Sequence, residues 1–122
     1  MRAFRILLSD SKFWAALFWA AALFAFVMGV IPHPPQIPGR PSDKLQHIAA
    51  FVTLALLGTR AFPRTPRLKL LAGLAMFGGL IEIVQAIPAL HRDSDVVDWL
   101  TDIAAAGAVL LLAESLRRRT SS

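Results

Sequence analysis

The sequence predicts an all-α integral membrane protein, a single domain over residues 1–122 built as a bundle of four transmembrane helices. The charged fraction is only 17% and the hydrophobic fraction is 56%, whereas soluble domains carry about 25% charged residues. The apolar residues fall in blocks of roughly twenty, which is the length needed to cross a bilayer. All eight prolines fall between these blocks, as expected of residues that interrupt helices.

The four predicted spans follow one another in the order 13–31, 44–62, 68–87 and 96–116. The first is apolar throughout, and we expect it to pack in the bundle or face lipid. No small-x-small cleavage site follows it at Val30-Ile31-Pro32, so we interpret it as a retained helix. A cleaved signal peptide is the alternative.

Positive charge indicates the orientation of the spans. Ten of the thirteen lysines and arginines lie on one side: three before the first span, four around the second loop, and Arg117 to Arg119 in the tail. Basic residues favour the cytoplasmic side, so we expect both termini there. The arginine run is typical of a topology signal that also contacts anionic lipid, and we predict no nucleic-acid partner.

Polar side chains interrupt three of the spans near their outer ends. A carboxylate at a helix centre costs about 2.5–3.5 kcal/mol on insertion scales, so such groups usually face a bundle interior or a cavity. Within each helix they recur at helical spacing, which places them on one face. The sequence therefore predicts one outward-opening polar pocket, and its candidate residues are Lys44, His47, Glu82, Gln85, Arg92, Asp98 and Asp102.

Three motifs occur in order through these spans. They are Asp43-Lys44-Leu45-Gln46-His47 with Phe51, then Ile81-Glu82-Ile83-Val84-Gln85, then Arg92, Asp98 and Asp102 with Gly107. This set resembles the VanZ-like family, which is named for a membrane protein associated with teicoplanin resistance. The chain departs from the family at Asp102, where many members have asparagine, and at His91, where glycine is common. The resemblance implies a compact helical domain in the bacterial inner membrane.

We derive two hypotheses for the pocket. In the first, it binds or processes an anionic envelope lipid or a lipid-linked cell-wall precursor, with an effect on glycopeptide susceptibility. Lys44, Gln85 and Arg92 would then bind the substrate. The candidate acids and bases for catalysis are His47, Glu82, Asp98 and Asp102. In the second, the polar groups only lock the helices together, and the protein is a structural or partner-binding module.

Other classes of function are less well supported. The chain has no cysteine, which excludes a disulfide framework and a thiolate nucleophile. Nitrogen and oxygen ligands are present, but no His-x-x-x-His spacing is, so we predict no metal and no cofactor. The cytoplasmic halves of the spans offer few polar groups for a transport path. Membrane lipids are the expected partners, and a homo-oligomer stays open.

Overall fold

The computed structural model describes residues 2–31, 43–90 and 96–121, and these residues form helices and short turns with no strand. The helices are α1 (Arg2–Ser9), α2 (Ser11–Val30), α3 (Asp43–Ala61), α4 (Arg67–Gln85) and α5 (Val96–Ser121), with one turn of 3₁₀-helix at Pro88–Leu90. The all-helical class is as predicted.

Three of the helices, α2, α4 and α5, are long and apolar enough to cross a membrane. The prediction of four such spans therefore needs correction. The apolar part of α3 runs over Leu45–Ala61 and is shorter than that of the other three. The polar side chains of Gln46, His47 and Thr53 lower its hydropathy, and His47 is a residue of the predicted site.

The short helix α1 was not predicted. It carries the apolar residues Phe4, Leu7 and Leu8 together with Arg2 and Arg5, and none of its residues is buried. Asp10 ends it and caps α2, because its Oδ1 accepts a hydrogen bond of 2.9 Å from the backbone N–H of Lys12. An amphipathic basic helix of this kind is typical of segments that lie in the membrane interface.

The four long helices alternate in direction. Helix α3 packs against α2 and α5, α5 also packs against α4, and α2 touches α4 less. We call the end where α2 and α4 begin the basic end, and the opposite end the polar end. The core is small and lies mainly between α3 and its neighbours; its buried members are Ala22, Phe51, Leu54, Ala55, Leu74, Ala106 and Leu110.

Close packing of α4 on α3 and α5 depends on a glycine. A Cβ built on Gly78 would lie 3.0 Å from both Phe51 Cζ and Trp99 Cδ1. The Trp99 indole also donates a hydrogen bond of 2.9 Å to the carbonyl of Ala75, one turn earlier on α4. Gly78 and Trp99 together fix the register of α4 against α5.

The outward surface of the bundle is strongly apolar. Leu68, Met76, Ile83 and Leu111 are each more than 70% exposed, and many further large apolar side chains share this surface. Soluble monomers rarely expose such continuous apolar area. The surface agrees with a helical membrane protein whose outer face contacts lipid.

Charged residues meet at the basic end. The Glu114 carboxylate of α5 accepts hydrogen bonds from Arg117 at 2.6 Å and from Arg118 at 3.4 Å. Arg67, the first residue of α4, lies 3.5 Å from the same carboxylate. Helix α5 continues through this network to Ser121, past the predicted end at residue 116. The network ties the start of α4 to the end of α5.

Candidate functional site

A cavity of about 540 Å³ opens between α2 and α3 in the half of the bundle nearer the polar end. Its walls are mainly apolar, and α4 and α5 contribute its inner side. We call it the outer cavity. Its lining residues from α2 are Ala21, Phe24, Ala25, Met28 and Gly29, and those from α3 are Leu45, Gln46, His47, Ala49, Ala50, Phe51 and Thr53.

An imidazole and a carboxylate meet in this cavity. His47 Nδ1 lies 3.8 Å from Asp102 Oδ2, and the Asp102 side chain is only 4% exposed. The distance is longer than a direct hydrogen bond, but it allows an ion pair when the imidazole is protonated. The pair comes from the first turns of α3 and α5, two helices that pack along their length. The sequence predicted that these residues lie together.

Glu82 is the third predicted residue in the cavity. It lies on α4 one turn after Gly78, and both residues contribute to the lining. The side chain is half-buried. Helices α3, α4 and α5 thus each bring one titratable group, His47, Glu82 and Asp102, to the same space.

Gln85 has a different environment. It is 2% exposed, it does not line the cavity, and its Nε2 donates a hydrogen bond of 2.8 Å to the backbone carbonyl of Gly29. Gly29 permits this approach, because a Cβ there would lie 3.3 Å from Ile81 Cγ2. In the structure this amide joins the ends of α2 and α4, and its predicted role in substrate binding stays a prediction.

The other predicted residues lie beside the cavity or outside the described residues. Asp98 is half-buried and lies one turn before Asp102 on the stripe that continues with Ala106, without lining the cavity. The backbone of Lys44 is in the first turn of α3, three residues before His47, but its side chain is not among those described. Arg92 also lies outside the described residues.

The described polar groups of the cavity allow acid–base chemistry. A carboxylate beside an imidazole can orient the ring, as catalysis by a general base requires. Among the described residues, no three histidine, aspartate or glutamate side chains form a candidate metal site. The lining includes two acidic side chains and one imidazole, so an anionic head group needs further cations. Lys44 and Arg92 are the predicted candidates.

Sequence reasoning missed the part that α2 plays. We expected its residues only to pack or to face lipid, yet Ala21, Ala25 and Gly29 line the cavity. These small residues recur every four positions, a spacing that permits close helix approach. That stripe was the available signal.

No family model, curated protein or solved structure matches this chain. The resemblance to the VanZ-like family stays a prediction that depends on the three motifs.

Proposed function

We propose that this chain is a VanZ-like protein of the bacterial inner membrane that binds an envelope lipid or a lipid-linked cell-wall precursor in its outer cavity. The observation that carries the proposal is the composition of that cavity. One continuous space has apolar walls from α2 and α3 and a polar part containing His47, Glu82 and Asp102. An amphiphile with a hydrocarbon chain and a hydrogen-bonding head group matches both parts.

The proposal includes a fourth span formed by α3. This helix has 19 residues, and at about 1.5 Å per residue it is roughly 28 Å long. That length is close to the hydrocarbon thickness of about 30 Å. Two of its polar side chains have partners, since His47 lies 3.8 Å from Asp102 in the cavity and the Thr53 hydroxyl donates a hydrogen bond to the Ala49 carbonyl of its own helix. Polar side chains within membrane spans usually face a cavity or the interior of the bundle.

In the proposed orientation, the basic end of the bundle lies in the cytoplasm. Arg60, Arg67 and Arg117 to Arg119 lie at this end of the bundle, as do the N-terminal arginines. The positive-inside tendency then puts the outer cavity in the outer leaflet and both termini in the cytoplasm. In this position the cavity meets precursors of the cell wall on the side where the wall is assembled.

The site residues divide into two proposed roles. Lys44 and Arg92 bind the phosphate of the head group, since both are cations predicted at this end of the bundle. His47, oriented by Asp102, takes or delivers a proton at the head group, and Glu82 on the facing helix is the second acid–base group. Asp98, one turn before Asp102 on α5, is a further candidate acid–base group.

Head-group turnover is the test of chemistry in the cavity. The purified chain is supplied with phospholipids and prenyl-linked precursors, and the products are measured by mass spectrometry. In parallel, glycopeptide susceptibility is measured in cells that express the wild type, His47→Ala or Glu82→Gln. A reaction or a phenotype that both variants lose supports the proposal. Unchanged lipids together with unchanged susceptibility in both variants contradict it.

A structural role is the alternative, and the hydrogen bond from Gln85 to Gly29 favours it. A buried amide between two helices stabilises a bundle without any ligand. If the whole polar cluster acted in this way, His47→Ala and Glu82→Gln would lower the folded yield and leave the specific phenotype of the remaining folded protein unchanged. Yield and phenotype measured on the same preparations separate the two functions.

A further inference from the structure

A second groove lies between α2 and α4, in the half of the bundle nearer the basic end. Its volume is about 400 Å³, and it shares no lining residue with the outer cavity. We call it the inner groove. Phe18 and Trp19 of α2 form one wall, Leu70 and Phe77 of α4 form the other, and Leu54 of α3 lies at its base. Trp19 is 62% exposed, so the groove opens at the surface of the bundle.

The length of the inner groove matches one leaflet. Along α4 its lining extends from Lys69 to Phe77. Eight residues of helix rise about 12 Å, which is close to half of the hydrocarbon thickness of about 30 Å. The groove therefore extends from the basic end to the middle of the bilayer, as a single acyl chain does.

The polar groups of the groove are at one end only. Thr65 and Lys69 are at the basic end, and the remaining lining residues are apolar or glycine. Lys69 is exposed, and no carboxylate of the described residues forms an ion pair with it. An ammonium group and a hydroxyl beside an apolar groove complement an anionic head group above an acyl chain.

The shape of the groove favours a hydrocarbon chain as its occupant. The middle of the groove is open at Gly73, where an added Cβ would have no atom within 4 Å. A narrow, flexible hydrocarbon chain fits this open space, and the ammonium group of Lys69 at the basic end complements an anionic head group.

We propose that the inner groove binds one acyl chain of an anionic phospholipid of the cytoplasmic leaflet, with the phosphate held by Lys69 and Thr65. This site is additional to the outer cavity and lies in the opposite leaflet. It depends on the bundle being embedded in the membrane, and it does not depend on what the outer cavity binds.

The test uses the full chain in lipid nanodiscs that contain a trace of phospholipid with a photoreactive group near the acyl terminus. The probe has either a phosphatidylglycerol or a phosphatidylcholine head group, and crosslinked residues are mapped by mass spectrometry. We expect phosphatidylglycerol to label residues 70–77 roughly fivefold more than phosphatidylcholine does, the preference that one lysine near a membrane surface provides. Lys69→Gln should remove this preference.

A variant that fills the inner groove tests whether an acyl chain binds there. Gly73→Leu should abolish labelling of residues 70–77, because its side chain occupies the open middle of the groove. Ala72→Leu is the matched control, since Ala72 is exposed on the same helix and lines neither space. Inorganic phosphate at millimolar concentration should not compete, since it has no chain to bury. Equal labelling by both head groups in the wild type, or full labelling of Gly73→Leu, would overturn the proposal.

The two proposals fail separately. Ala49→Leu narrows only the outer cavity, so labelling of residues 70–77 should persist in that variant. If labelling is lost at the outer cavity and preserved at the inner groove, the proposal for the inner groove stands. If labelling is lost at the inner groove and preserved at the outer cavity, the proposed function stands.

Discussion

The side-chain amide of Gln85 donates a 2.8 Å hydrogen bond to the backbone carbonyl of Gly29 and so joins the polar ends of α2 and α4. These two helices have few other contacts. The bond adds to the packing of α2 on α3 in positioning α2, which forms one wall of the outer cavity. A group that the sequence suggests as a ligand for substrate thus has a structural bond in the fold.

Replacing Gln85 tests this bond. Gln85→Met keeps the length of the side chain and removes the donor, and we expect it to lower the free energy of unfolding by about 0.6 kcal/mol, and by no more than about 1.7 kcal/mol. Unfolding in mixed micelles of increasing SDS measures the change. Unchanged stability together with lost lipid binding would instead support the substrate-binding role predicted for Gln85.

Two glycines of α4 provide a matched pair for the packing. Gly78→Ala places a methyl group 3.0 Å from Phe51 and Trp99, and overpacking of this kind typically costs about 1–3 kcal/mol. Gly73→Ala meets no atom within 4 Å, so it should leave stability unchanged or raise it slightly. Thermal unfolding of both variants gives the comparison. If the two substitutions changed the thermal stability equally, Phe51 and Trp99 would not pack closely against Gly78 as described.

His47 and Asp102 should act as a coupled pair. We expect His47→Ala and Asp102→Asn each to weaken lipid binding, and the double variant to be little worse than either one. Residues in contact typically show coupling energies of about 0.5–3 kcal/mol in a double-mutant cycle. His47→Ala with Thr101→Ala is the control cycle, because the Thr101 hydroxyl donates its hydrogen bond to the Val97 carbonyl of its own helix. Additive effects of the first pair would place His47 and Asp102 in separate sites.

The absence of cysteine makes the topology easy to measure. Single cysteines are introduced at Ser9, His33, Arg64 and Ala89, and intact cells are treated with a membrane-impermeant maleimide. If all four long helices span and the basic end is cytoplasmic, only the cysteines at His33 and Ala89 are labelled. If α3 does not cross, the cysteines at His33 and Arg64 report the same side. Labelling after lysis controls for reactivity at every position.

The sequence predicted the helices better than their mutual rotation. The predicted spans agree with α2, α3 and α4 within two residues at each end, because apolar length and proline position determine them. Helix α5 continues further, since arginine is a good helix former and hydropathy indicates only the apolar part. Helix α1 was missed because a short amphipathic segment gives no signal of apolar length.

The sequence predicts which faces of the helices are polar, but not how those faces are rotated against one another. Helical spacing showed that His47, Glu82 and Asp102 each lie on a polar face, and a bundle turns such faces inward. Spacing within one helix does not give its rotation about its own axis. Gln85, three residues after Glu82, therefore donates a hydrogen bond to Gly29, whereas Glu82 lines the cavity. Only the packing of α2 against α4 distinguishes these two positions.

Occupancy of the outer cavity by lipid is the most direct measurement of the proposed function. Photoreactive phospholipid and prenyl-phosphate probes are bound to the full chain, and crosslinks to residues 45–53 are quantified in the wild type, Ala49→Leu and Ala104→Leu. Ala49 lines the cavity, whereas Ala104 is exposed on α5 and lines neither space. If lipid binds in the outer cavity, labelling is saturable, Ala49→Leu reduces it severalfold, and Ala104→Leu leaves it unchanged. Labelling that does not saturate, or that both variants retain equally, would contradict the proposed function.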